Sequence, residues 1–275
     1  METKRNYLAE IQALIEKQQE ENPELFQNKK NEELAKLIAN KESLEKIKRA
    51  VESGADLNAE SESYDAPLIH ACDVRAFEIA KYLIEAGAEI TEDVIVSSVK
   101  SNNEGWLMSL IESGADIHSC KESLLSIAVN ENLDASAKVL IEAGFDVNKK
   151  GKAGATALHC VKKVEIAKVL IERGADVNAT NDSGSSPLHM ASILGSDELI
   201  ELLVKYGADV NAETYGKSTP LHKTATCGNV KSAKLLIKLG ASINRKNEDG
   251  LTAIQVAKGL GKLEFIKNVL DGEEV

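Results

Sequence analysis

Aromatic side chains make up only 4% of this 275-residue chain, with a single tryptophan. A core so poor in large rings must be filled by Leu, Ile, Val and Ala. That suits thin layers of small helices better than one deep globular core. No apolar run approaches the roughly 20 residues that span a bilayer, so membrane insertion is not expected. Basic residues are outnumbered, 33 Lys and Arg against 44 Asp and Glu, for a net charge of −11. That balance argues against a generic nucleic-acid surface, which needs clustered cations, and against attraction to anionic membranes. Four cysteines, Cys72, Cys120, Cys160 and Cys227, lie far apart with no C-x-x-C pair. Neither a zinc knuckle nor a disulfide framework follows, and reduced thiols in a cytoplasmic protein are expected. Behind Met1-Glu2-Thr3-Lys4-Arg5 there is no apolar stretch like that of a signal peptide.

One phrase occurs seven times. It reads Gly54-Ala-Asp-Leu-Asn58, Gly87-Ala-Glu-Ile-Thr91, Gly114-Ala-Asp-Ile-His118 and Gly144-Phe-Asp-Val-Asn148, then Gly174-Ala-Asp-Val-Asn178, Gly207-Ala-Asp-Val-Asn211 and Gly240-Ala-Ser-Ile-Asn244. The glycines are spaced by 33, 27, 30, 30, 33 and 33 residues. A period in this range signals a repeat array. Before each glycine stands a segment such as Ile166-Ala-Lys-Val-Leu-Ile171, with apolar residues at the spacing of one helix face. The glycine then falls where the chain leaves the helix through a left-handed residue.

A second phrase precedes that helix: Ala66-Pro-Leu68, Thr156-Ala-Leu-His159, Ser186-Pro-Leu-His189, Thr219-Pro-Leu-His222 and Thr252-Ala-Ile254. Ser or Thr before Pro is a helix start, because the hydroxyl caps free amides and proline is tolerated at the first helical position. Each unit is therefore predicted to be helix, turn, helix. The T-P-L-H phrase with a 33-residue period and a trailing G-A-D-V-N resembles the ankyrin repeat. The resemblance covers about 245 of the 275 residues. It implies an all-α repeat solenoid of about eight units including caps, with short β-hairpin fingers standing perpendicular to the helices. The expected units are 31–58, 59–91, 92–118, 119–148, 149–178, 179–211, 212–244 and 245–275, behind an N-terminal helical extension over 1–30.

The pattern is broken in steps of three residues. Six are missing before Val94 and three near Lys121, both in fingers, and three more between His159 and Glu165 in the turn joining two helices. The unit 92–118 is the least regular. It has Ser97 and Ser98 where small apolar residues are usual, and Gly105 near its second helix, so it is expected to open more readily. In the extension, Tyr7, Leu8, Ile11, Leu14 and Ile15 mark an apolar helix face that Pro23 ends. That face either packs on the first repeat or binds a partner.

Catalytic chemistry finds no support. There is no H-E-x-x-H, G-x-S-x-G or Cys/His constellation, and Gly259-Leu-Gly261-Lys262 lacks the spacing of a phosphate loop. Neither a metal nor a cofactor is expected. The resemblance implies that His159, His189 and His222 bond neighbouring loop backbone, and that partners bind on the concave finger and first-helix surface. On that basis the candidate contact residues are Asp182, Ser183, Ser185, Tyr215 and Lys152 on fingers. First-helix ends add Asp73, Val74, Asn130, Glu131, Ile193, Leu194, Thr226 and Cys227. Ile193, Leu194 and Tyr215 stand out as apolar anchors. Five lysines, Lys149, Lys150, Lys152, Lys162 and Lys163, gather in one unit and suit either an acidic partner or a solvated face. The expected function is a monomeric protein-binding module, an adaptor, scaffold or inhibitor whose partner is another protein. Two other readings stay open: a secreted bacterial effector delivered to act on a host protein, and a non-catalytic subunit of an enzyme complex.

Overall fold

The computed structural model describes residues 17, 20–61 and 63–270. The apolar face expected over residues 7–15 lies outside them. Among the described residues there are sixteen α-helices and no sheet, only two isolated antiparallel bridges, Ser61 with Tyr64 and Lys246 with Thr252. No described helix is long and apolar enough to cross a membrane. The chain separates into two compact bodies. One holds the residues up to Ser101 together with Gly105–Ala115; the other holds Asn102–Glu104 and the residues from Asp116 onward.

In the first body the helices are α1 (Pro23–Ala39), α2 (Leu44–Glu52), α3 (Pro67–Asp73), α4 (Phe77–Glu85), α5 (Glu92–Lys100) and α6 (Glu104–Glu112). First helices stack on first helices, α1 on α3 and α3 on α5, and second helix α2 packs on α4. The helical residues Glu20 and Glu21 stop at Asn22 as expected, and Pro23 then opens α1, since a proline at the first position removes an amide that had no intrahelical partner. The expected boundary at residue 30 therefore falls inside one continuous helix.

The irregular unit 92–118 is sewn together by polar contacts. Thr91 caps α5 directly, accepting from Val94 N, so no finger intervenes. Ser98 is fully buried and its Oγ accepts from Trp106 Nε1 at 2.9 Å, while Ser97 donates to Asp73. The Trp106 ring stacks on Phe77 at 5.6 Å. Ser98 thus answers a buried indole N–H, which would cost about 1–3 kcal/mol if left unpaired. Gly105 is only the second residue of α6, where the helix penalty of glycine is smaller than in an interior turn.

The second body continues with α7 (Leu124–Asn130), α8 (Asp134–Glu142), α9 (Ala157–Cys160), α10 (Val164–Glu172), α11 (Pro187–Leu194), α12 (Asp197–Lys205), α13 (Pro220–Cys227), α14 (Val230–Lys238), α15 (Ala253–Gly259) and α16 (Leu263–Leu270). First helices α7, α9, α11, α13 and α15 stack in order, as do second helices α10, α12, α14 and α16. The stack buries one apolar residue after another, among them Leu124, Leu158, Leu188, Leu203 and Leu236. Each such leucine contributes about 1.5–3 kcal/mol on leaving water. The three residues missing after His159 shorten the helix itself as well as its turn: α9 has four residues, and Val161 is already extended.

In three of the phrases the trailing asparagine joins neighbouring repeats through both ends of its amide. Asn148 Nδ2 donates to Gly174 O at 3.0 Å while its Oδ1 accepts from Asp176 N at 2.8 Å. Asn178 repeats this with Gly207 and Asp209, and Asn211 with Gly240 and Ser242. For the phrase at Gly54 that amide is not an asparagine of a preceding phrase. Two residues of α1 stand in for it: Gln27 donates to Gly54 O, and the buried Asn31 accepts from Asp56 N.

The fingers of the second body are five-residue turns too short for a regular ladder. Each is closed by a backbone bond from its first amide to its fifth carbonyl, Gly151 N to Ala155 O, Asn181 N to Ser185 O, Thr214 N to Ser218 O and Asn247 N to Leu251 O, and by a second from its fourth amide back to its first carbonyl. Neighbouring fingers also bond tip to tip, Asp182 N to Ala153 O, Tyr215 N to Ser183 O and Glu248 N to Gly216 O. Gly184 sits under that contact: a Cβ there would lie 2.8 Å from Tyr215 N. Gly250, in the last of these fingers, has the same left-handed backbone (φ +73° against +74°) but nothing within 4 Å of an added Cβ. Gly250→Ala should therefore cost only the left-handed penalty, roughly 1–2 kcal/mol. Gly184→Ala should cost that plus a steric term of about 1–3 kcal/mol. Urea unfolding of the two variants measures the difference, and equal losses would refute the described stacking of fingers.

Candidate functional site

What fixes three of these four fingers is a buried imidazole. Thr156 N donates to His159 Nδ1 at 3.2 Å, and His159 Nε2 lies 2.9 Å from Ser185 O in the next finger. Because Nδ1 accepts from an amide, the ring proton must sit on Nε2 and be donated to the carbonyl. The same arrangement links Ser186, His189 and Ser218, and again Thr219, His222 and Leu251. So the T-x-L-H phrase closes its own helix start and holds the following finger by one side chain. Burial lowers the pKa of all three rings, against the opposing effect of the carbonyl each one meets. His189, with no exposed surface, is pushed down to about 4.

Between first helices and the fingers that follow them the fold leaves grooves, and two of these are lined at matching repeat positions. In the second body, Ser123, Ser126, Ile127 and Asn130 form one wall of a cavity of about 390 Å³. Gly151, Lys152 and Ala155 form the other wall, and Cys160 lines it too. In the first body, Glu32, Ala35, Lys36 and Ala39 face Ser63, Tyr64 and His70 across about 270 Å³. The two are one site used twice, since the helix residues correspond at a constant offset and Cys160 and His70 each lie four residues after the N-cap. Burial raises the Cys160 thiol. His70 Nε2 is a buried atom without a hydrogen-bond partner.

Measured against this frame, the expected contact residues separate. Asn130, Glu131 and Lys152 line the larger groove together. Ile193, Leu194 and Tyr215 occupy the corresponding positions two repeats further on, at the end of α11 and on the finger after it. They are exposed, at 41%, 49% and 76%. Asp182 and Ser183 are exposed finger residues, as are Thr226 and Cys227 at the end of α13. Ser185 is buried instead: its carbonyl receives His159 and its hydroxyl meets Ser183, so its side chain supports the finger from within. Asp73 and Val74 end α3 in the first body, and Asp73 is engaged by Ser97.

The lysine cluster is largely structural. Lys149 donates to His118 O and Cys120 O, Lys150 to Thr180 O and Lys162 to Asn130 O, and Lys163 pairs with Asp134. These long side chains bridge the connections shortened by deletion. His118, which replaces the trailing asparagine, stacks on Phe145 at 6.3 Å instead of bonding the next phrase. Sequence reasoning missed His70 and Cys160 as groove residues. The signal was their shared place, one position beyond the histidine slot. Among the described residues no group of three or more His, Cys, Asp and Glu is placed to hold a metal ion.

The histidine ties make stability depend on pH. Each folded pKa lies below the ordinary value of about 6.5, so the contribution is complete above that value. It is lost as pH falls from 6.5 towards 4, where the unfolded chain takes up protons that the folded one refuses. For His189 the loss amounts to about 3 kcal/mol. Gln255 already performs the capping half of this task in the last repeat, its Oε1 accepting from Thr252 N at 2.8 Å. His189→Gln should therefore unfold less differently between pH 7 and pH 4.5 than wild type in urea titrations. An unchanged pH dependence would remove His189 from this role.

The family described as ankyrin repeats (3 copies) matches this chain in three overlapping stretches, residues 95–181, 125–214 and 160–247, which together span more than half of it. No curated protein matches the chain. Ankyrin repeats generally mediate protein–protein interaction and are typically non-catalytic. With the histidine and asparagine ties in place at the positions the repeat phrase demands, the chain belongs to the ankyrin repeat family.

Proposed function

We propose that this protein acts by occupying a partner protein, as a monomeric adaptor, scaffold or inhibitor without chemistry of its own. We further propose that the finger and first-helix surface of the second body is where the partner sits. The observation that carries this reading is the exposure of Ile193, Leu194 and Tyr215. Their repeat positions are those of Asn130, Glu131 and Lys152, which line the larger groove. Aromatic and aliphatic anchors dominate the energetics of protein interfaces, and nothing in the stack of helices requires these three side chains to face solvent. Asp182, Ser183, Thr226 and Cys227 would then form the polar margin of the same surface.

The test compares wild type with the double variant Leu194→Glu, Tyr215→Ala, after checking that thermal stability is unchanged. Each is used for affinity capture from a lysate of the source organism. A protein held by wild type should be lost by the variant, with affinity falling about 100-fold or more if both anchors are buried at the interface. Equal retention by both would move the contact surface elsewhere.

A further inference from the structure

The second body shows a regular exchange between fingers, and it shows one place where that exchange stops. In fingers 181–185, 214–218 and 247–251, the amide of the second residue donates to the carbonyl of the third residue of the finger before. The donors are Asp182, Tyr215 and Glu248. The second residue of finger 151–155 is Lys152. Its amide has no acceptor among the described residues, because the preceding connection, 116–123, is three residues short and forms no tip. The cavity of about 390 Å³ described above opens at this point, with the Lys152 finger as one wall.

The geometry points to a docking slot for a glycine-bearing reverse turn of a partner protein, seated where the missing fingertip would have stood. Its third residue would present a carbonyl to Lys152 N–H, as Ala153, Ser183 and Gly216 present theirs along the stack. Its fourth residue would be glycine for the reason seen in three of the chain's own fingers: Gly154, Gly184 and Gly250 occupy that position with φ between +68° and +74°. Lys217, at the same position, has φ +54°, so the turn itself is left-handed even without glycine. Around this backbone contact the slot is mildly polar. Ser123, Ser126 and Asn130 offer hydrogen bonds, and Ile127 and Cys160 give apolar surface. That lining fits a short turn of small residues better than a bulky apolar anchor. The inference rests on the reading of this protein as a protein-binding module, but it names a second site, distinct from the Leu194 and Tyr215 surface.

The probe is a cyclic peptide carrying Thr-Asn-Asp-Ser-Gly-Ser-Ser, the chain's own finger over residues 180–186, titrated into the isotope-labelled full-length protein. The expected result is a shift of the Lys152 amide resonance, with exchange at that amide slowed about tenfold or more at saturation. Alkylation of Cys160 should slow in parallel, while the Leu194 and Tyr215 amides stay unmoved. A second protein has Asp-Ser-Gly inserted between Lys121 and Glu122, restoring a tip of ordinary length. There the Lys152 amide should be protected without peptide, and the peptide should no longer bind. Three results would each overturn the proposal: no perturbation at Lys152 with millimolar peptide, equal binding by the insertion protein, or a Lys152 amide already protected in wild type. The double variant Leu194→Glu, Tyr215→Ala should bind the peptide as wild type does. Loss of a captured partner by that variant and loss of peptide by the insertion protein therefore report on the two sites separately.

Discussion

The second body depends on a hydrogen bond that spans two repeats. A neutral imidazole accepts an amide proton from its own helix start and gives its Nε2 proton to the next finger's carbonyl, 2.9–3.0 Å away in all three cases. Both partners are backbone groups, and the carbonyl takes the imidazole in addition to the amide that closes its own finger. Finger position is thereby coupled to the helix start of the repeat before it. The asparagine of the trailing phrase makes a second coupling at the other end of each repeat, with the same economy of one side chain meeting one donor and one acceptor.

Where these couplings are missing, other residues take over, and the replacements follow the chemistry of the gap. No histidine stands in the slot at Ser126, and the serine hydroxyl there donates to Ala155 O of the next finger at 3.5 Å. Lysine stems cross the gaps and end on exposed carbonyls of the neighbouring repeat. In the first body, the buried Ser98 hydroxyl serves an indole that no other repeat contains. The deletions thus changed which groups needed partners.

The periodic part of this architecture was legible because its signals are local. A glycine that must leave a helix, a hydroxyl before proline and an apolar stripe are each dictated by backbone geometry within a few residues. Gly54 through Gly240 mark the helix ends for that reason. The exposure of Ile193 and Leu194 was legible too, since large apolar residues stand where the helix core does not need them. What could not be read were consequences of distance. Ser185 resembles any finger serine until its burial behind the finger is seen. Gln27 and Asn31 look like part of a polar extension until they are found bonding a loop 25 to 27 residues away. The shortening of α9 could have fallen in the turn alone, because sequence counts residues without saying which of them give up helical geometry.

Both couplings point forward, from each repeat to its successor, so the array has a direction. In the repeat that starts at Thr252, glutamine takes the place of histidine, and Gln255 accepts the Thr252 amide at 2.8 Å. His159, His189 and His222 accept the equivalent amide and also present an Nε2 proton to the next finger. The histidine repeats therefore combine two tasks in one ring, closing a helix start and handing register to a neighbour, and glutamine takes up the first without the second. A single imidazole-to-amide exchange is thus enough to uncouple a repeat from its successor while its own helix start stays closed.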